Sequence, residues 1–201
     1  MPFDVPSAPH PSPGHVFGAL SPAVLALGSN AGHRLESLQD AVDALGDTPG
    51  LRVVGVSPVC EAGPWDGDAG MPSTRAPDAQ APDARAPYLN AVVLVWTTLA
   101  PRALLERAQA IEEALHRDRA DLWGPRTIDV DLVAYGVLVH TEAGLTLPHP
   151  AAHRRARVLT PWYCLDPGAW LPGHGLVEEL LAGLETVDVC PRPGLWLSPP
   201  F

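Results

Sequence analysis

The stretch WGPRTIDVDLV, Trp123 to Val133, decides how the chain is read. Ile128, Val130 and Leu132 alternate with Thr127, Asp129 and Asp131, the period of a strand with one buried face. In extended backbone, side chains at i and i+2 leave from the same face, so the two carboxylates emerge together, roughly 6–7 Å apart. At that separation they repel by about 2–3 kcal/mol for an effective dielectric of about 20. A wet outer face would screen the pair. A divalent cation between them would convert the repulsion into attraction. Which of the two applies depends on what the rest of the chain brings to that face.

Toward the N-terminus, PRALLERAQAIEEALHR (101–117) opens with Pro, as helix starts often do, and sets Leu104, Leu105, Ala108, Ile111 and Leu115 on one side. YLNAVVLVWTT (88–98), LRVVGVSPVCE (51–61) and VLALGSN (24–30) read as strands, the last ending in a Gly-Ser-Asn turn. HRLESLQDAVDALG spaces Leu35, Leu38, Val42 and Leu45 as a helix, with Gly46 as its stop. Toward the C-terminus come the apolar runs VLV and LTL, then PHPAAHRRARVLTPWYCLDP, partly helical. A helix over LVEELLAGLE (176–185) and an irregular tail, PRPGLWLSPP, follow. The order strand, helix, strand, strand, helix, strand predicts an α+β fold, an antiparallel sheet with helices packed on it. Residues 1–22 are Pro-rich and read as a loose extension, and residues 23–201 as one domain. Within that domain, 66–87 repeats APDA and reads as a low-complexity loop insertion.

With 201 residues, 46% of them hydrophobic, the chain can bury a substantial core. No apolar run approaches the ~20 residues of a membrane span. The start, MPFDVPSAPHPSPGH, has neither the basic end nor the apolar centre of a secretory signal. Cys60, Cys164 and Cys190 are far apart and form no CxxC pair, which favours a reducing cytoplasm over a disulfide framework or zinc site. A net charge of −10 argues against a nucleic-acid partner. All thirteen basic residues are Arg. Without Lys, a Walker A loop, a protein-kinase site and Schiff-base chemistry drop out. Arg102, Arg107, Arg117, Arg119, Arg126, Arg154, Arg155 and Arg157 crowd into one stretch of an acidic chain, a cluster able to receive an anion.

LALGSN, YLNAVV, AQAIEEALHRDR, WGPRTIDVDLVAYG and LTLPHP occur in this order. Together they resemble the 6-hydroxymethyl-7,8-dihydropterin pyrophosphokinase family over roughly residues 23–175. The resemblance implies a ferredoxin-like α+β fold. It also implies transfer of the terminal diphosphate of ATP to the pterin hydroxymethyl oxygen, with release of AMP, in folate biosynthesis. Two Mg2+ ions at Asp129 and Asp131, bridging the triphosphate, belong to the same picture. Catalytic roles are implied for Arg117, Arg126 and Asp131. ATP contacts are implied for Gln109, Glu112, Arg119, Thr146, His149 and Arg155. The pterin side comprises Ala62, Gly63, Tyr88, Asn90 and Arg157, with Trp65 and Trp123 closing the pocket. These residue types suit the tasks: guanidinium groups fork onto phosphate oxygens, an Asn amide reads a heterocycle's edge, and Tyr stacks on its face. The expected partners are ATP and the pterin alone, acting on a cytoplasmic monomer without membrane or nucleic acid.

The chain also departs from the family pattern. A second stacking residue, usually Phe, aligns with Arg157, whose guanidinium plane can also lie on an aromatic ring. A Tyr-x-Thr run is CEA here, so Cys60 and Ala62 take its places. His116 stands where a Gly precedes Arg117, and Gly144 where an Arg often precedes Thr146. Two alternatives therefore stay open: a diphosphotransferase for another hydroxymethyl heterocycle, and a nucleotide-binding scaffold without activity.

Overall fold

A computed structural model describes residues 20–63, 87–115, 127–184 and 189–200. Strand β1 (Ser21–Ser29) leads to helix α1 (Arg34–Gly46), strands β2 (Leu51–Val56), β3 (Cys60–Ala62) and β4 (Tyr88–Thr97), helix α2 (Pro101–Ala114) and strand β5 (Asp129–Tyr135). A hairpin of β6 (His140–Glu142) and β7 (Leu145–Leu147) precedes a 3-10 turn at Ala152–Arg154 and helix α3 (Ala156–Leu165). Strands β8 (Trp170–Leu171) and β9 (Gly175–Leu176), helix α4 (Val177–Ala182) and strand β10 (Val189–Pro191) complete the order.

The principal sheet is antiparallel, ordered β10-β3-β4-β1-β5, with β2 also paired to β4. Along β1, Ala23, Leu25 and Leu27 face Leu38 and Val42 of α1 and Leu104 and Ile111 of α2. Ala26 turns to the other face, where Val158, Leu159 and Trp162 of α3 pack with Val177 of α4. Both faces are therefore covered. That is why β1 and β4 read as nearly continuous apolar runs rather than strict alternation. Each Leu fully buried between these layers contributes about 1.5–3 kcal/mol.

The stretch read as one strand over 51–61 is two strands. Pro58 offers no N–H to the ladder, and Ser57 bridges the gap. Its N–H donates to Val92 O at 2.9 Å, while its hydroxyl accepts the Val92 N–H at 2.8 Å. Gly46 is the last residue of α1 but no left-handed cap, since Asp47 continues at φ −76°. A side chain at Gly46 would instead run into Pro200 of the C-terminal segment. VLV forms no strand; the Leu138 N–H closes a turn onto Tyr135 O, and β6 begins at His140. The tail is more regular than expected at its start, because Val189–Pro191 pairs with β3. Pro191 is tolerated there because β10 is an edge strand. The helix expected over 176–185 is shorter, Val177–Ala182. Of the extension only residues 20–22 are described, and Ser21 and Pro22 already belong to β1; of the low-complexity loop only Pro87 is described. Among the described residues, no helix is long and apolar enough to cross a membrane.

Candidate active site

Asp129 and Asp131 do share a face, and that face lines a cleft beside the start of α3. In register, Asn90 of β4 lies opposite Gly28 of β1, and Gly28 lies opposite Asp129 of β5. Paired residues point to the same side of a sheet, so Asn90, Gly28 and Asp129 form one row across three strands. Gly28 leaves the middle of that row open. A Cβ there would sit 3.4 Å from Asn90 Oδ1 and 4.0 Å from Tyr88 Cδ1. Ala26, opposite Asp131, is similarly small. The cleft floor is therefore nearly bare backbone between an amide wall and a carboxylate wall. Tyr88, Arg155 and Arg157 line its remaining sides.

Asn90 is buried, and its amide Nδ2 donates to Tyr88 O at 3.3 Å. Across the cleft, Arg155 Nη1 stands 3.6 Å from Asp131 Oδ2. Arg155 occupies the N-cap position of α3, so the helix start fixes its direction. Ala62 pairs with Tyr88 and packs with Cys60 and Val189 behind the cleft wall, and Gly63 follows it at the end of the described segment. Cys60 lies opposite Asn90 in register. Burial, then the neighbouring Cys164 and Cys190 thiols, push its pKa up to about 12, so it remains a neutral thiol at physiological pH.

Gln109, Glu112, Thr146 and His149 do not line this cleft. Gln109 and Glu112 sit on α2 and Thr146 on β7, both of which pack against β5, and His149 lies in the loop after β7. Gln109 is exposed on α2. Glu112, one turn later, is 3% exposed, and its Oε1 accepts the N–H of Val130 at 2.8 Å. That N–H lies on an edge strand, between the two aspartates. The carboxylate thus holds the strand that carries the acid pair. Thr146 stands opposite Thr141 in the β6–β7 hairpin. The His149 N–H binds Val133 O at 2.8 Å, and its Nδ1 accepts the Ala151 N–H at 3.2 Å, which leaves the ring proton on Nε2. Arg117, Arg119, Arg126, Trp65 and Trp123 lie outside the described residues. Gly28 and Ala26 were missed as cleft residues, although Gly28 sits in the LALGSN run; a residue without a functional side chain gives no chemical signal.

The donor set fits a hard divalent cation. Two carboxylates face one polar cleft, and among the described residues no cluster of three or more His, Cys, Asp or Glu side chains forms. Magnesium commonly takes one or two carboxylates and fills its octahedron with phosphate and water oxygens. A structural zinc site would need four protein ligands.

Fold and cleft together define a class: a mixed helix and antiparallel-sheet protein whose cleft joins an acid pair, guanidinium groups and an aromatic–amide wall. The chain belongs to the 7,8-dihydro-6-hydroxymethylpterin-pyrophosphokinase (HPPK) family, whose model matches residues 24–167. It is 41% identical over 150 residues to a 2-amino-4-hydroxy-6-hydroxymethyldihydropteridine pyrophosphokinase of Mycobacterium tuberculosis, covering 68% of this chain and 71% of that one. A protein of the same name from Methylorubrum extorquens is 38% identical over 170 residues, covering 83% of this chain and 98% of its own. Among solved structures, wild-type Plasmodium falciparum HPPK-DHPS superposes with a TM-score of 0.58 over 82% of this chain and 44% of that chain. At 12% sequence identity, that likeness speaks for the fold alone.

Proposed function

We infer that this chain transfers the terminal diphosphate of ATP to the hydroxymethyl group of 6-hydroxymethyl-7,8-dihydropterin, releasing AMP, in folate biosynthesis. The observation that carries the reading is the single cleft shared by Asp129, Asp131, Arg155, Asn90 and Tyr88. β5, which carries the aspartates, forms the sheet edge beyond β4 and β1 and packs against α2 and β7, the elements bearing Gln109 and Thr146, which supports an ATP side there. Tyr88 offers a face for the pterin ring, and the Asn90 amide a donor and acceptor for its edge. Arg155 reaches phosphate oxygens from the side of Asp131. Asp129 and Asp131 would hold two Mg2+ ions, which, when bound with ATP, neutralise the triphosphate and polarise the β-phosphorus. The hydroxymethyl oxygen gives its proton up to water and forms its bond to that phosphorus in line, and the bond from phosphorus to the α,β-bridging oxygen breaks as AMP departs. Arg117, Arg119 and Arg126 enter as phosphate clamps, and Trp65 and Trp123 as pocket-closing rings, on the sequence match alone. Glu112 acts through the Val130 N–H rather than on ATP.

The finer fold assignment belongs to the same reading. Counted as one interrupted strand, β2 and β3 give the order β5-β1-β4-β2/β3, with α1 and α2 on one face; that order supports a ferredoxin-like arrangement. Pairing of β10 with β3 supports one domain through the C-terminal segment. Three free cysteines fit a reducing cytoplasm, and the working state is a monomer.

A second reading, a different hydroxymethyl heterocycle as acceptor, is favoured by Arg157, which lines the cleft where the family usually has an aromatic ring. One experiment separates the two. Purified chain is mixed with ATP, Mg2+ and the pterin, and the released nucleotide is identified. AMP that depends on the pterin supports the first reading. Release of ADP, or no product from folded protein that binds ATP, refutes it.

A further inference from the structure

We propose that Glu61, gripped by Arg34 and Arg192, is a positioning residue for the pterin wall of the cleft. The proposal rests on the pterin reading of that wall. Glu61 is the middle residue of β3, flanked by Cys60 and Ala62. Arg34 Nη1, at the start of α1, donates to Glu61 Oε1 at 3.3 Å and to the Pro87 carbonyl at 2.5 Å. Arg192 Nη1, just after β10, donates to Glu61 Oε2 at 2.6 Å. One guanidinium therefore ties β3 to the residue immediately before Tyr88. A second ties β3 to the C-terminal segment.

The need for such ties follows from the local backbone. β3 is three residues long and is cut off from β2 by Ser57-Pro58-Val59. Its ladders to β4 and β10 are equally short, so backbone pairing alone fixes it weakly. Yet Ala62 pairs with Tyr88 and Cys60 with Asn90, so any slip of β3 reaches both pterin-side residues. Both Glu61 oxygens are used, each by a different cation, and the Glu61 and Arg34 side chains are only 21% and 30% exposed. Charge-assisted bonds at this exposure are stronger and less screened than surface pairs. None of the three residues lines the cleft, so the effect passes through Tyr88 and Asn90. A wall held in place before the ligand arrives lowers the ordering cost of binding, and leaves phosphoryl chemistry on the β5 side untouched.

The test pairs steady-state AMP release with amide hydrogen exchange at Tyr88–Asn90. Glu61→Ala is expected to raise KM for the pterin about tenfold, with kcat and KM for ATP within about twofold of the parent. Glu61→Gln, whose amide oxygen accepts from one guanidinium while its NH2 can only donate, restores part of that loss. Arg192→Ala, at a half-exposed residue, moves the pterin KM the same way by less. Exchange at Tyr88–Asn90 quickens in Glu61→Ala. An unchanged pterin KM overturns the proposal, as does a loss of kcat that tracks a lower Tm and is not rescued by Gln. If the parent chain makes no AMP from this pterin, the functional reading fails on its own. Exchange then decides the clamp: faster amides in Glu61→Ala support it, and unchanged amides overturn it.

Discussion

Replacing Glu112 by Ala tests how the acid pair is held. The side chain is 3% exposed, and its Oε1 takes the Val130 N–H at 2.8 Å, on the residue between Asp129 and Asp131. Ala removes the acceptor and leaves a buried N–H, at a cost of about 1–3 kcal/mol. The space vacated by the truncated side chain adds on the order of 1 kcal/mol. For a chain of 201 residues, a loss of about 2–4 kcal/mol lowers Tm by roughly 5–15 °C. Glu112→Gln keeps an oxygen in place. It gives up about 1 kcal/mol of charge-assisted bonding, offset by no longer burying a charge, so its Tm should stay close to the parent's. Function is read where both variants remain folded. Groups that orient metal ligands typically contribute about 10–100-fold in metal affinity, so Glu112→Ala should need at least about tenfold more Mg2+ for half-maximal AMP release. Glu112→Gln should need less than about threefold more. Thermal unfolding by circular dichroism and Mg2+ titrations of turnover supply both numbers. An Ala variant with the parent's Tm and Mg2+ requirement would refute the reasoning. A Gln variant as impaired as Ala would show that charge, not the hydrogen bond, is what matters.

Asp129→Asn and Asp131→Asn should each cut turnover on the order of a hundred- to a thousandfold in chains that stay folded, since each removes like-charge repulsion, offset at Asp131 by the lost Arg155 pair; full activity in either would sink the magnesium reading. Arg157→Phe should bind the pterin about two- to tenfold tighter by calorimetry, because ring-on-ring stacking replaces a hydrated cation, and weaker binding would show that position 157 does not meet the ring. His153 stacks on His174 with centroids 4.2 Å apart, and burial, then the charges of His174 and Arg154, lower its pKa below the ordinary 6.5. The unfolded chain therefore takes up a proton near that value which the folded chain refuses, so this contribution is complete above it and is lost as pH falls toward the folded pKa. Urea melts between about pH 7.5 and 5 should show a flatter decline for His153→Gln, and an identical decline would assign the slope to other groups.

What the sequence revealed and what it hid divide along physical lines. The acid pair was legible because a two-residue period in extended backbone fixes relative direction without knowledge of any partner. The starts of α2 and β4 were legible for the same kind of reason, a helix-opening Pro and an uninterrupted apolar run. The break in 51–61 was not. It depends on the Ser57 hydroxyl reaching the Val92 N–H, a contact 35 residues apart in sequence. β10 escaped because a three-residue edge strand has no period to detect. Glu112 illustrates the limit for sites: its place on α2 was readable, but whether its carboxylate faces a ligand or a strand edge is a matter of tertiary packing. Arg117, Arg119, Arg126, Trp65 and Trp123 lie outside the described residues, so for them the family pattern carries the reading unaided.

Three of the departures from the family pattern, at Cys60, Ala62 and Arg157, gather on one side of the cleft, while Gly144 lies in the β6–β7 turn. Cys60 and Ala62 pack with Val189, and against them lie Tyr88 and Ala156, the residue immediately before Arg157. Small side chains on β3 leave room for the start of α3 to sit close, with Arg157 in the cleft rather than an aromatic ring. These positions are neighbours in space and form one packed patch beside the wall proposed for the pterin. The opposite wall shows no such change: Gly28, Asp129 and Asp131 sit in register on β1 and β5, backed by Glu112. The contrast follows from what each wall must do. Stacking on a flat ring tolerates an exchange of one planar group for another at about 1 kcal/mol. Placing phosphate oxygens for in-line transfer does not tolerate a displacement of about 1 Å, which can reduce rate a hundredfold. A chain can therefore rebuild the first wall and keep its chemistry, provided something holds the rebuilt wall still, and the Arg34–Glu61–Arg192 clamp lies where that restraint is needed.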